Sequence, residues 1–489
     1  MSSQEVLGGQ AGTADVGEIR RRAASGVVSV GLRNLSVRAL GLLGNVALAR
    51  LLTPSDFGVI AFGLTLTVLG AALSTGGIGA SLTRRREEPT REELAVALGF
   101  QLAVSSAIAL AVIAVAVPLG GAGPVAALMV CAVPIDALRT PAGTMATRHL
   151  GFGLLARAEV AETVVFNVVA IGLVALGAGV WGVAAATLVR AVTGAGLLTA
   201  YGEVGFMLPR WRPAILRAHL RFGMANQAST LLTATRDQGL NLAVAAVGGV
   251  AALGVWSLAY RLLQSVLLLL QALWRVSFPA TSRLLEAGQD ARRLLTRGLG
   301  LSAIATGVMV VMLAGTAPAV VPVLFGPGWH DVVPILPWGA AALMVSGPIS
   351  TVGVGFLWAT GKAGQVLRSV ALQAIVWIGT AVALLGPLGP MAIGVGMFAG
   401  GVAVAVSVGT AVRRQVPVPI AGRTTAPALV ATAASVAGWL VADALGRGIP
   451  ALAASLVTAL AIYAVGVLLL RGEDVRMLFG LLRGALRRR

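Results

Sequence analysis

The sequence has 489 residues, 57% of them hydrophobic and 11% charged, with a mean hydropathy of +0.89 and a formal net charge of +18. A soluble domain carries roughly 25% charged residues, so a water-soluble globular protein is excluded: too little polar surface exists to clothe a chain of this length. The positive charge does not point to nucleic acid either. Lys362 is the sole lysine, and most arginines stand in short segments between apolar runs, which is the signature of membrane topology and anionic headgroups.

In hydrocarbon the backbone must satisfy its own hydrogen bonds, so spanning elements are helices or a closed barrel. The apolar runs here are continuous over about twenty residues, as from Leu94 to Pro118, and do not alternate over about ten as barrel strands do. The expected class is therefore an all-α polytopic membrane protein. Residues 1–26 read as a polar, disordered cytoplasmic lead ending in Arg20, Arg21 and Arg22, without the apolar segment of a cleavable signal peptide. About fourteen spans follow, at roughly 27–51, 57–82, 94–118, 124–144, 159–179, 181–205, 221–247, 253–279, 298–324, 333–360, 366–385, 390–411, 427–445 and 450–470.

Charge orients them. Basic residues fall in the lead, in the loop with Arg84 to Arg91, and at Arg148 and Arg157. They recur at Arg210 to Arg217, Arg283 to Arg297, Lys362 and Arg368, Arg413 to Arg423, and in the tail from Arg471 to Arg489. These are alternate loops; the opposite set holds only Arg447, so both termini are predicted to be cytoplasmic.

A weak internal repeat divides the chain. The segment from Asn45, NVALARLLTPSDFGVIAFG, aligns without gaps to NLAVAAVGGVAALGVWSLA from Asn241, matching Asn45 with Asn241, Ala47 with Ala243, Gly58 with Gly254 and Val59 with Val255. Both copies cross an outer turn, six spans apart, as in a parallel repeat about an axis along the membrane normal. The predicted organisation is an N-lobe of spans 1–6 (27–207) and a pseudo-twofold-related C-lobe of spans 7–12 (208–414). Two extra helices (415–471) and a basic cytoplasmic tail (472–489) complete it.

Nine arginines fall inside predicted spans: Arg33, Arg38, Arg50, Arg139, Arg190, Arg221, Arg236, Arg261 and Arg275. Arg50, Arg221 and Arg275 lie near span ends, where such side chains snorkel to the headgroups. Arg38, Arg190 and Arg236 are close to mid-span, where an arginine costs about 2.5–3.5 kcal/mol even on lenient insertion scales. Polar stripes accompany them: Asn34, Arg38, Gly41 and Asn45 in span 1; Asn226, Thr230, Thr233, Asp237 and Asn241 in span 7; Arg261, Gln264, Gln271 and Arg275 in span 8. Two readings stay open for each arginine. It contacts an anionic ligand in a wet, net cationic cleft between the lobes, or it forms a structural pair, as Arg139 would with Asp136 one turn earlier. Deep acids are expected to be scarce, with Asp136 and Asp237 the only ones, and that favours the cationic cleft, since guanidinium forks match phosphate oxygens.

The stretches ALARLLTPSDFGVIAFG, GVWSLAYRLLQ, VSFPATSRL and VPVLFGPGWHD resemble the polysaccharide exporter branch of the multidrug/oligosaccharidyl-lipid/polysaccharide superfamily, in particular Wzx-type oligosaccharide flippases of the colanic-acid and teichuronic-acid exporter kind. The resemblance covers roughly residues 25–475. It implies a two-lobed, fourteen-helix fold working by alternating access in the bacterial cytoplasmic membrane. The substrate it implies is a polyprenyl-pyrophosphate-linked oligosaccharide, handed between polysaccharide assembly enzymes amid membrane lipids. Carried onto this chain, Arg33, Arg38, Arg236, Arg261 and Arg275 contact pyrophosphate, Asn34, Asn45, Asn241, Gln264 and Gln271 bind sugar hydroxyls, and Arg190 and Asp237 complete the cavity. No cofactor is expected beyond a coupling ion, H⁺ or Na⁺, whose use the sequence leaves open.

Three rivals are weighed. A cation-coupled drug exporter of the same superfamily needs a protonatable carboxylate in the cavity, and Asp237 alone would serve. A lipid II flippase shares the fold and cationic cavity. A membrane glycosyltransferase or polymerase would need paired acids on a catalytic loop; here Glu87, Glu88, Glu92 and Glu93 read as a solvated charge run beside four arginines. Trp329 and His330, in an outer turn, read as interfacial anchors.

Overall fold

The computed structural model describes residues 37, 39–84, 87–286, 290–446 and 448–486; within these, the side chains of 80, 84, 221–222, 225–226, 229, 232–233, 236, 269, 272–286 and 475–486 lie outside the description. Among the described residues all regular structure is helical. Among the described residues ten helices are long and apolar enough to cross a membrane, or eleven when one bent pair is taken as a single span. Their outer faces carry large exposed apolar side chains such as Leu110, Leu176 and Leu469, which suit lipid rather than water.

The chain divides into two compact units, residues 1–242 and 243–489. The first begins with α1 (Ala39–Leu51) and α2 (Pro54–Ser74). The sequence TPSD between them is a capping box: the Asp56 N–H donates to Thr53 Oγ1 at 3.2 Å, and the Thr53 N–H donates to Asp56 Oδ2 at 2.9 Å. Thr90 and Glu93 repeat the device ahead of α4 (Arg91–Leu119), after the short α3 (Ile78–Arg84). Glu93 thus has a structural task, while Glu88 is exposed as expected of a charge run and Glu92, half-buried, pairs with Arg212 at 3.1 Å.

Span 4 of the sequence reading is broken. It consists of α5 (Gly123–Val130), α6 (Ala132–Ala137) and α7 (Thr140–Arg148), with a 52° bend before α7. Pro141, lacking an N–H and carrying a ring that clashes with the preceding turn, stops α6 and starts α7. Next come α8 (Phe152–Leu173), a π-helical stretch Val174–Ala178, and α9 (Gly179–Tyr201). Fifty residues of unbroken helix would reach roughly 75 Å, far beyond the hydrocarbon. The chain instead turns back at Gly177 and Gly179, both at positive φ, so that Glu162 faces Gly194 and Ala158 packs on Leu198.

Helix α10 (Pro213–Glu286) would be roughly 110 Å long if straight. It is broken at Gly249, at φ 75° and ψ 176°. Gly249 stands 196 residues after Thr53, the residue where α1 gives way to α2, so the repeat read from Asn45 and Asn241 reproduces the same interruption in both copies. Where α2 ends, a Cβ at Gly77 would fall 2.2 Å from the carbonyl oxygen of Gly223, so only glycine admits this approach of backbone to backbone.

The second unit contains the rest of α10, then α11 (Ala291–Ala314), α12 (Ala317–Phe325), a 3₁₀ turn Pro327–Val332, α13 (Ile335–Ala359), α14 (Ala363–Leu388), α15 (Met391–Arg413), α16 (Ile420–Leu445) and α17 (Ile449–Leu486). Small residues let these helices close up. Gly394 and Gly401 lie against the α13 backbone at Ile335 and Ala342, while Gly396 and Gly400 lie against α14 at Trp377. Helices α16 and α17 pack on α11 through Ala431, Ala434, Ala459 and Tyr463, whose hydroxyl donates to the Ile304 carbonyl at 2.9 Å. Trp329 is 1% exposed, buried in the unit beside Val332 rather than anchored at an interface, because the 3₁₀ turn directs it inward; His330 stays outside with Asp331.

Candidate functional site

The bend before α7 and the hairpin of α8 and α9 bring four charges together inside the first unit. Arg139 occupies the break itself, as the residue preceding α7. Its Nη1 donates to Glu162 Oε1 on α8 at 2.8 Å, and its Nε lies 3.6 Å from Asp136 Oδ1. From α9, Arg190 approaches the same acids, at 3.6 Å from Asp136 Oδ2 and 3.5 Å from Glu162 Oε2. Each carboxylate therefore sits between two guanidinium groups. Of the four contacts only that from Arg139 to Glu162 has hydrogen-bond length, and Asp136 Oδ1 has no hydrogen-bond partner among the described residues.

Glu162 is 5% exposed, so the expectation that Asp136 and Asp237 are the only deep acids is corrected. The reason is geometric. Glu162 stands near the start of a predicted span, where a carboxylate is cheap, but the hairpin turns it inward against α9. Gly194 makes the room, since a Cβ there would fall 2.1 Å from Glu162 Oε1. Burial of Glu162 is tolerable only because it is paired, as an unpaired ion in this setting costs several kcal/mol.

Beside the quartet lies a cavity of about 700 Å³. Arg139, Arg190 and Glu162 form part of its wall, with Glu159 one turn before Glu162 and Thr163 next to it on α8. A threonine face of α7 adds Thr140, Thr144 and Thr147, and Thr83 comes from α3. A signal for this wall exists in the sequence: Thr140, Thr144 and Thr147 recur at i, i+4 and i+7, a polar stripe that begins in the span predicted at 124–144 and runs past its end. Arg148, next to the cavity residue Thr147, ties α7 to α3 and the segment after it, its guanidinium donating to the carbonyls of Leu82 at 3.1 Å and Glu87 at 2.8 Å. His149 nearby touches Glu88 at 3.0 Å and Glu203 at 2.6 Å.

The residues read from the sequence as lining a cleft fall as follows. Arg190 belongs to the quartet, beside two acids, so its surroundings are charge-compensated rather than cationic. Asn241 donates to Thr65 Oγ1 on α2 at 3.2 Å and to Gln238 Oε1 at 3.0 Å. Gln227, further toward the start of α10, donates to the Ala72 carbonyl at 2.7 Å and accepts from Thr75 Oγ1 at 2.8 Å. The α10 stripe thus turns toward α2. Asn45 is half-buried and Asp237 exposed in the first unit; Arg261 and Gln264 are half-buried and Gln271 exposed in the second. Arg33, Asn34 and Arg38, and the side chains of Arg236 and Arg275, lie outside the described residues.

An apolar helical bundle with a charged and hydroxylated cavity is a transporter's anatomy, and known proteins agree with that reading. Residues 47–334, more than half of the chain, match the model of a family described as polysaccharide biosynthesis protein. The succinoglycan biosynthesis transport protein ExoT of Rhizobium meliloti (strain 1021) is 26% identical over 347 residues, covering 67% of this chain and 69% of its own. Among solved structures, the lipid II flippase MurJ in an inward closed conformation matches with a TM-score of 0.68 at 12% identity, covering 91% of this chain and 99% of its own. An inward-facing multidrug resistance MATE family transporter of the MOP superfamily matches with a TM-score of 0.60 at 16% identity, over 80% of this chain and 98% of its own. At these identities the structures speak for the fold alone. The chain belongs to this polysaccharide biosynthesis protein family, as a multi-pass membrane transporter of the exporter branch to which its sequence motifs point.

Proposed function

We propose that this protein flips polyprenyl-pyrophosphate-linked oligosaccharide repeat units from the inner to the outer leaflet of the bacterial cytoplasmic membrane by alternating access, for surface polysaccharide assembly. The observation that carries the reading is a cavity of about 700 Å³, walled in part by charged and hydroxyl side chains, among helices with large exposed apolar side chains. Such a chamber carries a hydrophilic headgroup through a layer that would otherwise reject it, while the lipid tail stays among acyl chains. The fourteen-span topology with both termini in the cytoplasm is part of the proposal. So is the role of Arg33, Arg38, Arg236, Arg261 and Arg275 in holding pyrophosphate, with Asn34, Asn45, Asn241, Gln264 and Gln271 at sugar hydroxyls.

The test is to delete the gene and extract lipid-linked intermediates. Sugar-loaded polyprenyl pyrophosphate should accumulate on the cytoplasmic side while surface polymer disappears, and its glycan identifies the cargo. Unchanged intermediates with new sensitivity to cationic drugs would replace this reading by cation-coupled drug export. One observation favours that second reading: Glu162 supplies a buried carboxylate in the cavity wall, better placed than the exposed Asp237. Against it, two arginines flank Glu162 and would repel a cationic drug. Within the flippase reading, Arg38→Ala should reduce export; normal export would remove the phosphate role from that position.

A further inference from the structure

Hydrogen-bond chemistry divides ligands that contain phosphate from those that contain only hydroxyls. An ionised phosphate oxygen only accepts, whereas each sugar hydroxyl both donates and accepts. The cavity in the first unit can be sorted on that basis.

Its threonines are mostly spent as donors. The hydroxyls of Thr83, Thr147 and Thr163 each donate to a carbonyl one turn back (Gly79, Gly143 and Glu159), all at 2.8 Å, and Thr140 donates to Gln101 Oε1 at 2.7 Å. What these oxygens offer to the cavity is their lone pairs. The carboxylate of Glu162 likewise only accepts, and Glu159 stands beside it in the wall. Donors come from Arg139 and Arg190, each about a third exposed while the acids behind them are more deeply buried. Glu162 and Asp136 each lie against both Arg139 and Arg190, so two guanidinium groups face two carboxylates. A pyrophosphate placed here would meet a ring of acceptors with which it makes no hydrogen bond, and arginines whose charge is already answered. A neutral sugar meets guanidinium donors for its oxygens and a ring of acceptors for its hydroxyl protons. The cavity volume of about 700 Å³ falls within the roughly 300–1,000 Å³ typical of clefts and cavities that take a small ligand.

We propose that the Arg139–Glu162–Arg190 cavity is a saccharide subsite, taking neutral sugar rings of the cargo by paired hydroxyl contacts, and that the pyrophosphate is held elsewhere. The proposal rests on the flippase reading and adds which part of the cargo this chamber reads. It makes the chamber a selector of the glycan rather than a counter-charge for the lipid carrier.

The experiment is native mass spectrometry of the full-length protein with two probes. One is polyprenyl pyrophosphate loaded with the repeat unit, extracted from the deletion strain; the other is bare undecaprenyl pyrophosphate. The wild-type protein should hold the loaded lipid about tenfold more tightly, the scale of a few net hydroxyl hydrogen bonds. Thr144→Val combined with Thr163→Val, which keeps side-chain shape, should shrink that preference to about two- to threefold and leave the bare carrier's affinity unchanged. Glu162→Gln, which turns an acceptor oxygen into a donor, should shrink it as well. Equal weakening of both lipids by the threonine pair would put pyrophosphate in the cavity and overturn the proposal while sparing the flippase reading. A wild-type protein without preference, or variants that keep the full preference, would overturn it in the same way. Retention of neither lipid by the wild-type protein would bring down the flippase reading and this inference with it.

Discussion

The walls of α7, α8 and α9 in the first unit and the packing of α11, α16 and α17 in the second are built from equally apolar helices, yet they solve opposite problems. In the second unit alanine and glycine let helices approach until little space remains, and the polar bond from Tyr463 to Ile304 is an accessory to tight packing. In the first unit a proline break and a hairpin hold helices apart around four charges, and a chamber stays open beside them. In a membrane, lipid tails are as apolar as leucine, so helix association rests on close packing and on polar contacts. One region uses the first and the other the second, and a region held by buried charges fails differently from one held by close packing.

The sharpest way to break the contrast is Glu162→Lys. It would place a third cation among Arg139 and Arg190, with Asp136 alone to answer them. Removing one partner of a buried pair costs about 3–5 kcal/mol, and reversing the sign should cost at least that. The expected outcome is loss of folded protein in size-exclusion thermostability measurements; near-normal stability would mean that the quartet is wetter and weaker than its geometry indicates. Next in size are two matched glycine substitutions. Gly307→Ala puts a methyl 2.0 Å from Tyr463 Oη in the second unit, and Gly194→Ala puts one 2.1 Å from Glu162 Oε1 in the first. Overpacking of this kind costs about 1–3 kcal/mol. The first should lower melting temperature while transport per folded molecule stays normal. The second should keep abundance closer to wild type and lower transport, because the displaced group belongs to the cavity wall. Equal transport per folded molecule in both would make the quartet scaffold rather than site.

Much of this was legible from residue order. Composition and run length determine the helical membrane class, and the motifs from Ala47 onward point to the family that the match over residues 47–334 establishes. The faint repeat gains weight from Thr53 and Gly249, where both copies interrupt the helix. The pairing of Arg139 with Asp136 was available as well, since residues three apart share a helical face. Glu162 was not. Its partners stand 23 residues before it and 28 after it: the turn between α7 and α8 brings in Arg139, and the turn at Gly177 and Gly179 brings in Arg190. Nor could periodicity show that the guanidinium of Arg190 lies beside two acids, which bears on the choice between the ligand contact and the structural pair left open for that residue. The stripe of Asn241 was visible, but the direction it faces, toward Thr65 and α2, is a property of packing that spacing alone does not contain.

The smallest effect sharpens the comparison most finely. Tyr463→Phe removes only the hydroxyl that donates to the Ile304 carbonyl and keeps the ring that packs on α11. A net intramolecular hydrogen bond is worth about 0.5–1.5 kcal/mol. The Ile304 carbonyl is a helix carbonyl that retains its intrahelical donor, so the low end of that range is expected. If close packing is what holds this region, the variant should lose at most a few degrees of melting temperature and no transport. Gly307→Ala at the neighbouring position should cost more, because it moves the ring itself. A loss from Tyr463→Phe larger than that from Gly307→Ala would reverse the ranking, and the second unit would then depend on its polar bond as the first depends on its charges.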